Sequence, residues 1–243
     1  MIHFVIPFYN NEISLAENVG AIRSFLAKEL PGEFEIVLCD DGSTDGALAA
    51  ARNIQRSAPD VRVIGYAANR GRGHAVRFAA LSCSGGQLIF SDLDLSRTTD
   101  LRHILDMKDR LKDVPVVVGS RFLRASTTRR IWRRAVIGRA HRFFVRFFFP
   151  DLKIKDPDAG FKGFDLGRLQ KMSRVSLMDR WSWDLEVLVI ARANGLPIAE
   201  IPIDWNERHS AYASSVKIIR DGWEEFRGMF RIRGNLKKGR YRI

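Results

Sequence analysis

Over the first ninety residues, short apolar runs alternate with stretches of helical spacing, and few folds accept that order. His3–Pro7 and Glu35–Cys39 read as buried strands, and the segment between them, Ile13–Leu30, carries Leu15, Val19, Ile22 and Leu26 at helical intervals. Leu48–Ser57 reads as a second helix, Val61–Tyr66 as a strand, His74–Ser82 as a third helix and Gln87–Ser91 as a fourth strand. This alternation predicts a parallel sheet with crossover helices. Beyond it the sequence predicts a strand at Val114–Gly119, a helix near Trp183–Asn194, a strand at Ala199–Trp205 and an amphipathic C-terminal helix. No repeat, low-complexity tract or linker interrupts the 243 residues, so one domain is expected.

In open sheets of this type, ligands sit beyond the carboxyl ends of the strands. Four polar loops are expected there: Phe8–Glu12, Asp40–Asp45, Asn69–Gly73 and Asp92–Ser96. Asp92 and Asp94 stand at i and i+2 after a buried strand, and in extended chain both carboxylates point the same way. Two hard oxygen ligands side by side suit Mg2+ or Mn2+ and leave positions for diphosphate oxygens. Such an ion neutralises charge on a departing nucleotide. An Asp-x-Asp pair alone also fits a solvated loop or a helix cap. Its place after a βαβ strand favours ligand binding.

The run Asp40-Asp41-Gly42-Ser43-Thr44-Asp45 is ordinary turn chemistry, but it also offers Asp40 or Asp41 to a nucleobase or ribose. Asn69-Arg70-Gly71-Arg72-Gly73 opens a helix, where backbone N–H groups and two arginines favour an anion. Val76 occupies the third glycine position of a dinucleotide fingerprint, which argues against a dehydrogenase. Asp156–Lys162 and Trp181–Glu186, taken singly, read as a turn and as core aromatics. The five histidines are scattered, and Cys39 and Cys83 match neither a disulfide framework nor a zinc site, so a reducing cytoplasm is the expected setting.

The net charge of +12 is local. Arg121–Pro150 holds nine arginines and no acid, and Arg227–Ile243 holds seven lysines or arginines and no acid. With +16 in those two blocks, the remainder of the chain is net −4. Nucleic acid, anionic lipid and phosphorylated substrates all remain open as partners on charge alone. Aromatic residues interleave with the cations at helical spacing, Trp132 through Phe147 and Ile219 through Phe230, as in a helix lying on a membrane surface. No apolar run reaches the roughly 20 residues needed to span a bilayer. The apolar start, MIHFVIPFY, has no basic region before it and reads as a first strand rather than a leader. A nucleic-acid binder is disfavoured because no nucleic-acid module is visible and the acidic loops would repel a phosphate backbone.

Seven stretches in order resemble glycosyltransferase family 2, and more narrowly its polyprenyl- and dolichyl-phosphate sugar synthases. They are IPFYNNE (Ile6–Glu12), DDGSTDG (Asp40–Gly46), NRGRGHAV (Asn69–Val76), SDLDLS (Ser91–Ser96), VVVGSRF (Val116–Phe122), DPDAGFKGF (Asp156–Phe164) and RWSWDLEVL with EIPIDWNER (Arg180–Arg208). The resemblance implies an α/β GT-A fold, a Rossmann-like, mostly parallel mixed sheet flanked by helices. It places the catalytic domain at 1–216 and an amphipathic basic helix and tail at 217–243, within the same compact unit.

The resemblance also implies roles. Pro7, Tyr9, Glu12, Asp40, Asp41, Arg72, Asp92, Arg208 and Lys217 would bind the nucleotide sugar. Asp92 and Asp94 would hold Mg2+ or Mn2+, Arg121 and Arg133 would take the acceptor phosphate, and Asp94, Asp156 and Glu186 would be the catalytic acids. Arg72 stands where relatives carry Lys, Ser96 where mannosyl relatives carry Gln, and Asp158 where glucosyl relatives carry Gln. The implied reaction is inverting hexosyl transfer to a polyprenyl or dolichyl phosphate by an enzyme peripheral on the cytoplasmic face of an anionic membrane, with a separate membrane subunit as one possible anchor. The GFK and RWSWDLE stretches lean toward a UDP-glucose-like donor, with GDP-mannose second. A soluble sugar or cell-wall acceptor is the remaining enzymatic alternative.

Overall fold

A computed structural model of the chain describes residues 1–129, 132–206 and 218–243. The elements run β1 (Ile2–Phe8), α1 (Glu12–Glu29), β2 (Phe34–Asp40), α2 (Ala47–Ser57), β3 (Val61–Gly65), α3 (Arg72–Ser82) and β4 (Gln87–Ser91). They continue through α4 (Leu95–Thr98), α5 (His103–Arg110), β5 (Val116–Ser120), β6 (Thr128–Arg129), α6 (Trp132–Phe148), β7 (Phe161–Asp165) and α7 (Leu166–Val175). The last elements are α8 (Ser182–Ala193), β8 (Ile198–Pro202), β9 (Trp205–Asn206) and α9 (Ile218–Lys237).

Seven strands form one sheet in the order β3-β2-β1-β4-β7-β5-β8, and β6 pairs with β9 in a two-stranded annex. β3, β2, β1 and β4 are mutually parallel, and β7 enters antiparallel between β4 and β5. The sequence reading anticipated the parallel half but left Asp156–Phe164 without a strand. Its FKGF core is short, and Lys162 interrupts the apolar signal although it is fully buried.

Alternation along β1 explains why helices cover both faces. Phe4, Ile6 and Phe8 meet Leu15, Val19 and Ile22 of α1, whereas Val5 joins the opposite layer with Ala75, Val76 and Trp183. Strands buried on both faces are what a parallel sheet requires, and each fully buried large apolar side chain contributes about 1.5–3 kcal/mol. The strand order turns outward from β1 in two directions, toward β2 and toward β4. The crevice at such a switch point lies beyond Phe8, Asp40 and Ser91, and the loops there carry the acidic residues.

α9 packs on both α8 and α6 and belongs to the same body as the sheet. Met229 and Ile232 face inward, and Tyr241 beyond the helix is buried. No helix among the described residues is long and apolar enough to cross a membrane.

Candidate active site

Two loops are stapled into one wall of the crevice. Asn10 adopts a left-handed backbone (φ 51°), which lets its N–H reach the Ser43 hydroxyl at 3.0 Å while its Oδ1 accepts from the Thr44 N–H at 2.8 Å. Glu12 lies beneath them, accepting from the Gly46 N–H at 3.1 Å, and any Cβ at Gly46 would collide with that carboxylate. Glu12 therefore braces the wall. Tyr9 is exposed at the mouth, and Pro7 is half-buried behind it.

Asp40 and Asp41 are both buried at the end of β2. Asp40 accepts from the Ser43 N–H at 3.0 Å. Asp41 is fully engaged: its two oxygens accept from the Tyr66 hydroxyl, the Asn69 amide and the N–H groups of Arg70 and Gly71, at 2.7–3.0 Å. A carboxylate so engaged organises the 69–73 loop and leaves little of itself for a ribose, a departure from the role the resemblance implied. Gly71 sits at φ 99°, and a Cβ there would meet the Arg180 side chain at 2.7 Å, so the loop turns where only glycine fits.

That loop delivers Arg72 to the centre. One Nη donates to Asp92 at 2.6 Å, the other to Asp184 at 2.5 Å, and the guanidinium lies 4.6 Å from the Trp181 ring centroid. Its Nε is buried without a partner. Asp184 in turn accepts from Lys162 Nζ at 2.7 Å, so a chain of alternating charge runs Asp92–Arg72–Asp184–Lys162 into the core. Burial drives the Lys162 amine below the usual lysine range, against the pull of Asp184. Burial likewise opposes the ionisation of Asp184, but Arg72 and Lys162 outweigh it and hold its carboxyl below the usual range.

Asp92 and Asp94 stand together at the carboxyl end of β4, both half-buried. The reason differs from the extended geometry expected from sequence: Asp94 has φ −84° and ψ 13° at the N-terminal boundary of α4, so a turn rather than a strand sets the pair. Asp92 Oδ2 lies so close to the Gly160 backbone that a Cβ there would approach to 2.0 Å. Asp92 already faces a guanidinium charge at 2.6 Å, and both aspartates offer hard oxygens, which suits Mg2+ or Mn2+. The one three-ligand group among the described residues, His3, Glu35 and Cys83, lies at the opposite edge, where Arg62 donates to Glu35 and Cys83.

The far wall is built by β5 and the 156–160 loop. Arg121 meets Asp156 in a fork, Nε to Oδ2 at 2.7 Å and Nη2 to Oδ1 at 2.8 Å, and its N–H adds a third bond at 2.9 Å. Asp156 is buried; burial opposes its ionisation, but the Arg121 charge prevails and keeps the carboxyl below its ordinary range. Arg121 lies 5.7 Å from the Phe122 ring centroid and 5.5 Å from that of Trp205, and Arg142 of α6 lies 3.8 Å from the same Phe122 ring.

A second cluster, not anticipated from sequence, closes the cleft from the helices. His141 of α6 lies 2.6 Å from Asp158 and 3.6 Å from Glu225 of α9. Burial opposes protonation of His141, yet Asp158 and Glu225 bring it up to about 9. Burial foremost, with Asp158 adding, pushes Glu225 up to about 7. Asp158 and Glu225 lie 17 and 84 positions from His141 along the chain, so only folding brings them together, and no local motif marks them.

Glu186 is not in the cleft. It is buried on α8, accepting from the Leu177 and Met178 N–H groups and from the Tyr241 hydroxyl at 2.7–3.0 Å, where it anchors the C-terminus. Asp184, two residues earlier, faces the site instead. Arg133 lies on α6, but its side chain is outside the described residues, as are Arg208 and Lys217 altogether.

At the mouth, α6 and α9 meet along a seam of aromatic rings. Phe148 lies 4.7 Å from Phe230, and Phe144 lies 5.2 Å from Phe226. Phe143, Phe147, Trp223 and Phe230 are 53–68% exposed, a contiguous apolar rim rather than scattered surface residues. Exposed Arg139, Arg146, Arg227 and Arg231 flank it.

Comparison with known proteins converges on one family. The model of Glycosyl transferase family 2 matches residues 3–171. Glycosyltransferase AglD of Haloferax volcanii is 29% identical over 222 residues, covering 89% of this chain and 34% of its own length. The dolichyl-phosphate beta-glucosyltransferases of Drosophila melanogaster and Homo sapiens are each 29% identical, covering 84% of this chain and 66% of theirs. The chain thus spans a third of the first relative and just under two thirds of the other two. Among solved structures, glucosyl-3-phosphoglycerate synthase of Mycobacterium tuberculosis in complex with UDP superposes with a TM-score of 0.69 at 18% identity, covering 96% of this chain and 80% of that one. Its complex with Mn2+, UDP-glucose and phosphoglyceric acid gives 0.67. At that identity the likeness shows the fold.

Proposed function

The chain belongs to glycosyltransferase family 2, and from that premise we propose that it transfers glucose from UDP-glucose to a polyprenyl or dolichyl phosphate at a membrane surface. The observation that carries this reading is an arrangement along one sheet edge: the Asp92–Asp94 pair follows β4 and Arg121 follows β5, and Arg121 shares the Phe122 ring with Arg142 of α6, the residue before Phe143 of the exposed aromatic rim. A nucleoside diphosphate suits the first, a phosphate monoester the second and an isoprenoid tail in a bilayer the third. The dolichyl-phosphate beta-glucosyltransferase relatives and the UDP-glucose-bound fold neighbour support the same substrates.

Bound Mg2+ or Mn2+ at Asp92 and Asp94 would supply charge neutralisation for the departing diphosphate. Arg72, aimed by Asp184 and stacked on Trp181, presents its cation beside that pair. The Asp40 and Asp41 loops, with Tyr9 at the mouth, form the wall against which the nucleoside rests. A phosphate monoester has its second pKa near ~6, so the acceptor is ionised at neutral pH and needs no strong general base. Asp156 accordingly acts as a positioning residue that holds Arg121 for the acceptor phosphate. Positioning, electrostatics and exclusion of water carry the reaction, a single in-line displacement with inversion at the anomeric carbon. The rim on α6 and α9 rests on the lipid headgroups as a peripheral attachment to the cytoplasmic face.

The test is a thermal-shift panel of UDP, GDP and their sugars with Mn2+, followed by transfer to a short water-soluble prenyl phosphate. UDP-glucose should stabilise the protein most and should be consumed, because a ligand at 100 times its Kd adds about 2.7 kcal/mol. Stabilisation by GDP-mannose alone, or full transfer in EDTA, would overturn the reading.

A further inference from the structure

The 156–160 loop is pinned at both ends by bonds of its own. Asp156 holds Arg121, and its N–H donates to Glu200 Oε1 at 3.1 Å. At the other end Lys162 Nζ donates to the Ala159 carbonyl at 2.5 Å, and the Asp92 N–H to that of Gly160 at 3.1 Å. Asp158, between them, faces the helices, with His141 of α6 at 2.6 Å. Its charge also acts on Arg121.

The helices meet this loop as a pair. The second half of α9 is fixed on α8, where Met229 and Ile232 are buried and Gly228 leaves no room for a Cβ against Ser182 Oγ. Its first turns carry the exposed Trp223 and Glu224, and Glu224 reaches Arg180 only at 3.8 Å. Phe226 holds those turns to Phe144 of α6 through the ring seam. His141 then joins the pair to the loop, standing between Asp158 at 2.6 Å and Glu225 at 3.6 Å. Its Nδ1 makes no aligned hydrogen bond there, so opposite charge rather than directed bonding draws the three groups together. Without a cation between them the two acids would repel across the joint.

We propose that His141 is a positioning residue for acceptor binding: as the cation shared by Asp158 and Glu225, it ties the α6–α9 pair to the 156–160 loop and so sets the entrance through which a lipid phosphate reaches Arg121. The proposal rests on the reading of this cleft as one that accepts such a phosphate. Charge at the joint follows pH. Other charges reach the three groups: Arg142, on α6 itself, opposes protonation of His141, while Asp184 raises Glu225 and Arg72 lowers it. With His141 brought up to about 9 and Glu225 to about 7, the imidazolium faces two carboxylates between those values. The link is lost as pH rises through about 9.

The test uses the full chain as wild type, His141→Gln, His141→Lys and a double variant, His141→Gln with Glu225→Gln. Each is checked for folding by its melting curve and by UDP–Mn2+ stabilisation, which should stay within twofold of wild type in affinity. A short water-soluble prenyl phosphate is titrated calorimetrically without donor or vesicles from about pH 8 to about pH 9.5, and its KM and kcat are measured at about pH 8. Wild type should lose roughly fivefold or more in affinity as pH rises through about 9, within the range of coupling in one charge network. His141→Gln should be that weak already at about pH 8, through KM more than kcat, and should change less than twofold above it. His141→Lys, charged throughout, should bind as wild type does at about pH 8 and lose the alkaline decline. The double variant, with no second acid to repel Asp158, should recover most of the affinity that His141→Gln loses. An equal alkaline decline in wild type and His141→Gln, or no recovery in either of the other two variants, would overturn the proposal. Should prenyl phosphate bind in this pattern but receive no sugar, the transfer reading fails and the role of His141 stands. Should it not bind wild type at all, both fail.

Discussion

Arg121 and Asp156 are joined by three hydrogen bonds of 2.7–2.9 Å, in a pair of which the carboxylate is almost wholly buried and the guanidinium largely so. Removing one partner of such a pair leaves the other charge uncompensated, at a cost on the order of 3 kcal/mol. At this chain length each kcal/mol moves the melting temperature by about 2–4 °C. Asp156→Asn is therefore expected to melt ~6–12 °C lower and to bind the acceptor phosphate poorly. The Asp156 carboxyl sits below its ordinary pKa, so its stabilisation is present above the unfolded value and is lost as pH falls through the folded one. The variant should show a shallower acid limb in a melting-temperature profile; an unchanged profile would remove the pair from this account.

Asp184 carries the second charge relay, with Arg72 on one oxygen and Lys162 on the other. Both Lys162 and Asp184 are buried, so Asp184→Asn leaves an ammonium in the core without its counter-charge. Destabilisation again on the order of 3 kcal/mol is expected. Because Arg72 also loses its aim, UDP–Mn2+ stabilisation should fall tenfold or more in affinity. A variant that melts early but binds UDP–Mn2+ as wild type does would make Asp184 purely structural.

The contrast between Asp184 and Glu186 shows what a sequence can carry. The first ninety residues announce their βαβ order because periodicities of 2 and 3.6 are local properties, and the motif loops follow from strand ends. The choice between two acids two positions apart on α8 is not local. Residues i and i+2 on a helix project about 200° apart, so one meets Arg72 and the other Tyr241, and only the packing of α8 decides which. Lys162 was hidden for a related reason, a lysine being the last residue expected to be fully buried inside a sheet. The His141–Asp158–Glu225 cluster joins two helices and a loop, and it leaves no spacing signal.

Gly160 tests the Asp92 geometry without replacing a charged residue. A Cβ there would meet Asp92 Oδ2 at 2.0 Å and Arg72 Nη1 at 3.0 Å, and Asp92 is a short side chain already held by Arg72. Gly160→Ala should displace that carboxylate. The overpacking cost is about 1–3 kcal/mol. UDP–Mn2+ stabilisation should be largely lost, as it should be in Asp94→Ala, whereas UDP without metal should respond much less. Retention of the Mn2+ effect in both variants would mean the aspartates do not hold the ion.

His3, at the opposite edge of the sheet, offers a pH test separate from the cleft. The Cys83 side chain foremost raises it, burial opposes, and Glu35 adds, bringing it up to about 9. A raised folded pKa stabilises fully below the unfolded value near 6.5, and the stabilisation is lost as pH rises through about 9. Wild type should lose roughly 2–3 kcal/mol at most from this group between pH 6 and pH 9.5, at ~1.4 kcal/mol per unit. His3→Gln should flatten that part of the profile in urea melts, leaving UDP–Mn2+ stabilisation at pH 6 in place. An equal alkaline decline in both proteins would show that His3 stays neutral in the fold.

The rim of α6 and α9 makes the final prediction, and it separates lipid contact from fold. Phe143, Phe147 and Trp223 are 62–68% exposed, so replacing them removes little buried area from the core. A replacement at Phe148 or Phe226 would instead break the seam that joins the two helices. Apolar rings that insert at an interface gain from burial, and each flanking cation near an anionic leaflet adds ~1 kcal/mol. The combined Phe143→Ser, Phe147→Ser and Trp223→Ser variant should thus melt within about 3 °C of wild type and keep its UDP–Mn2+ stabilisation. Its partitioning onto vesicles containing anionic lipid should fall tenfold or more in a flotation assay. Raising salt should weaken the wild-type interaction but not abolish it, because screening reaches the arginines and not the rings. If the triple variant floats with vesicles as wild type does, the rim faces something other than lipid, and attachment must come from the basic residues alone.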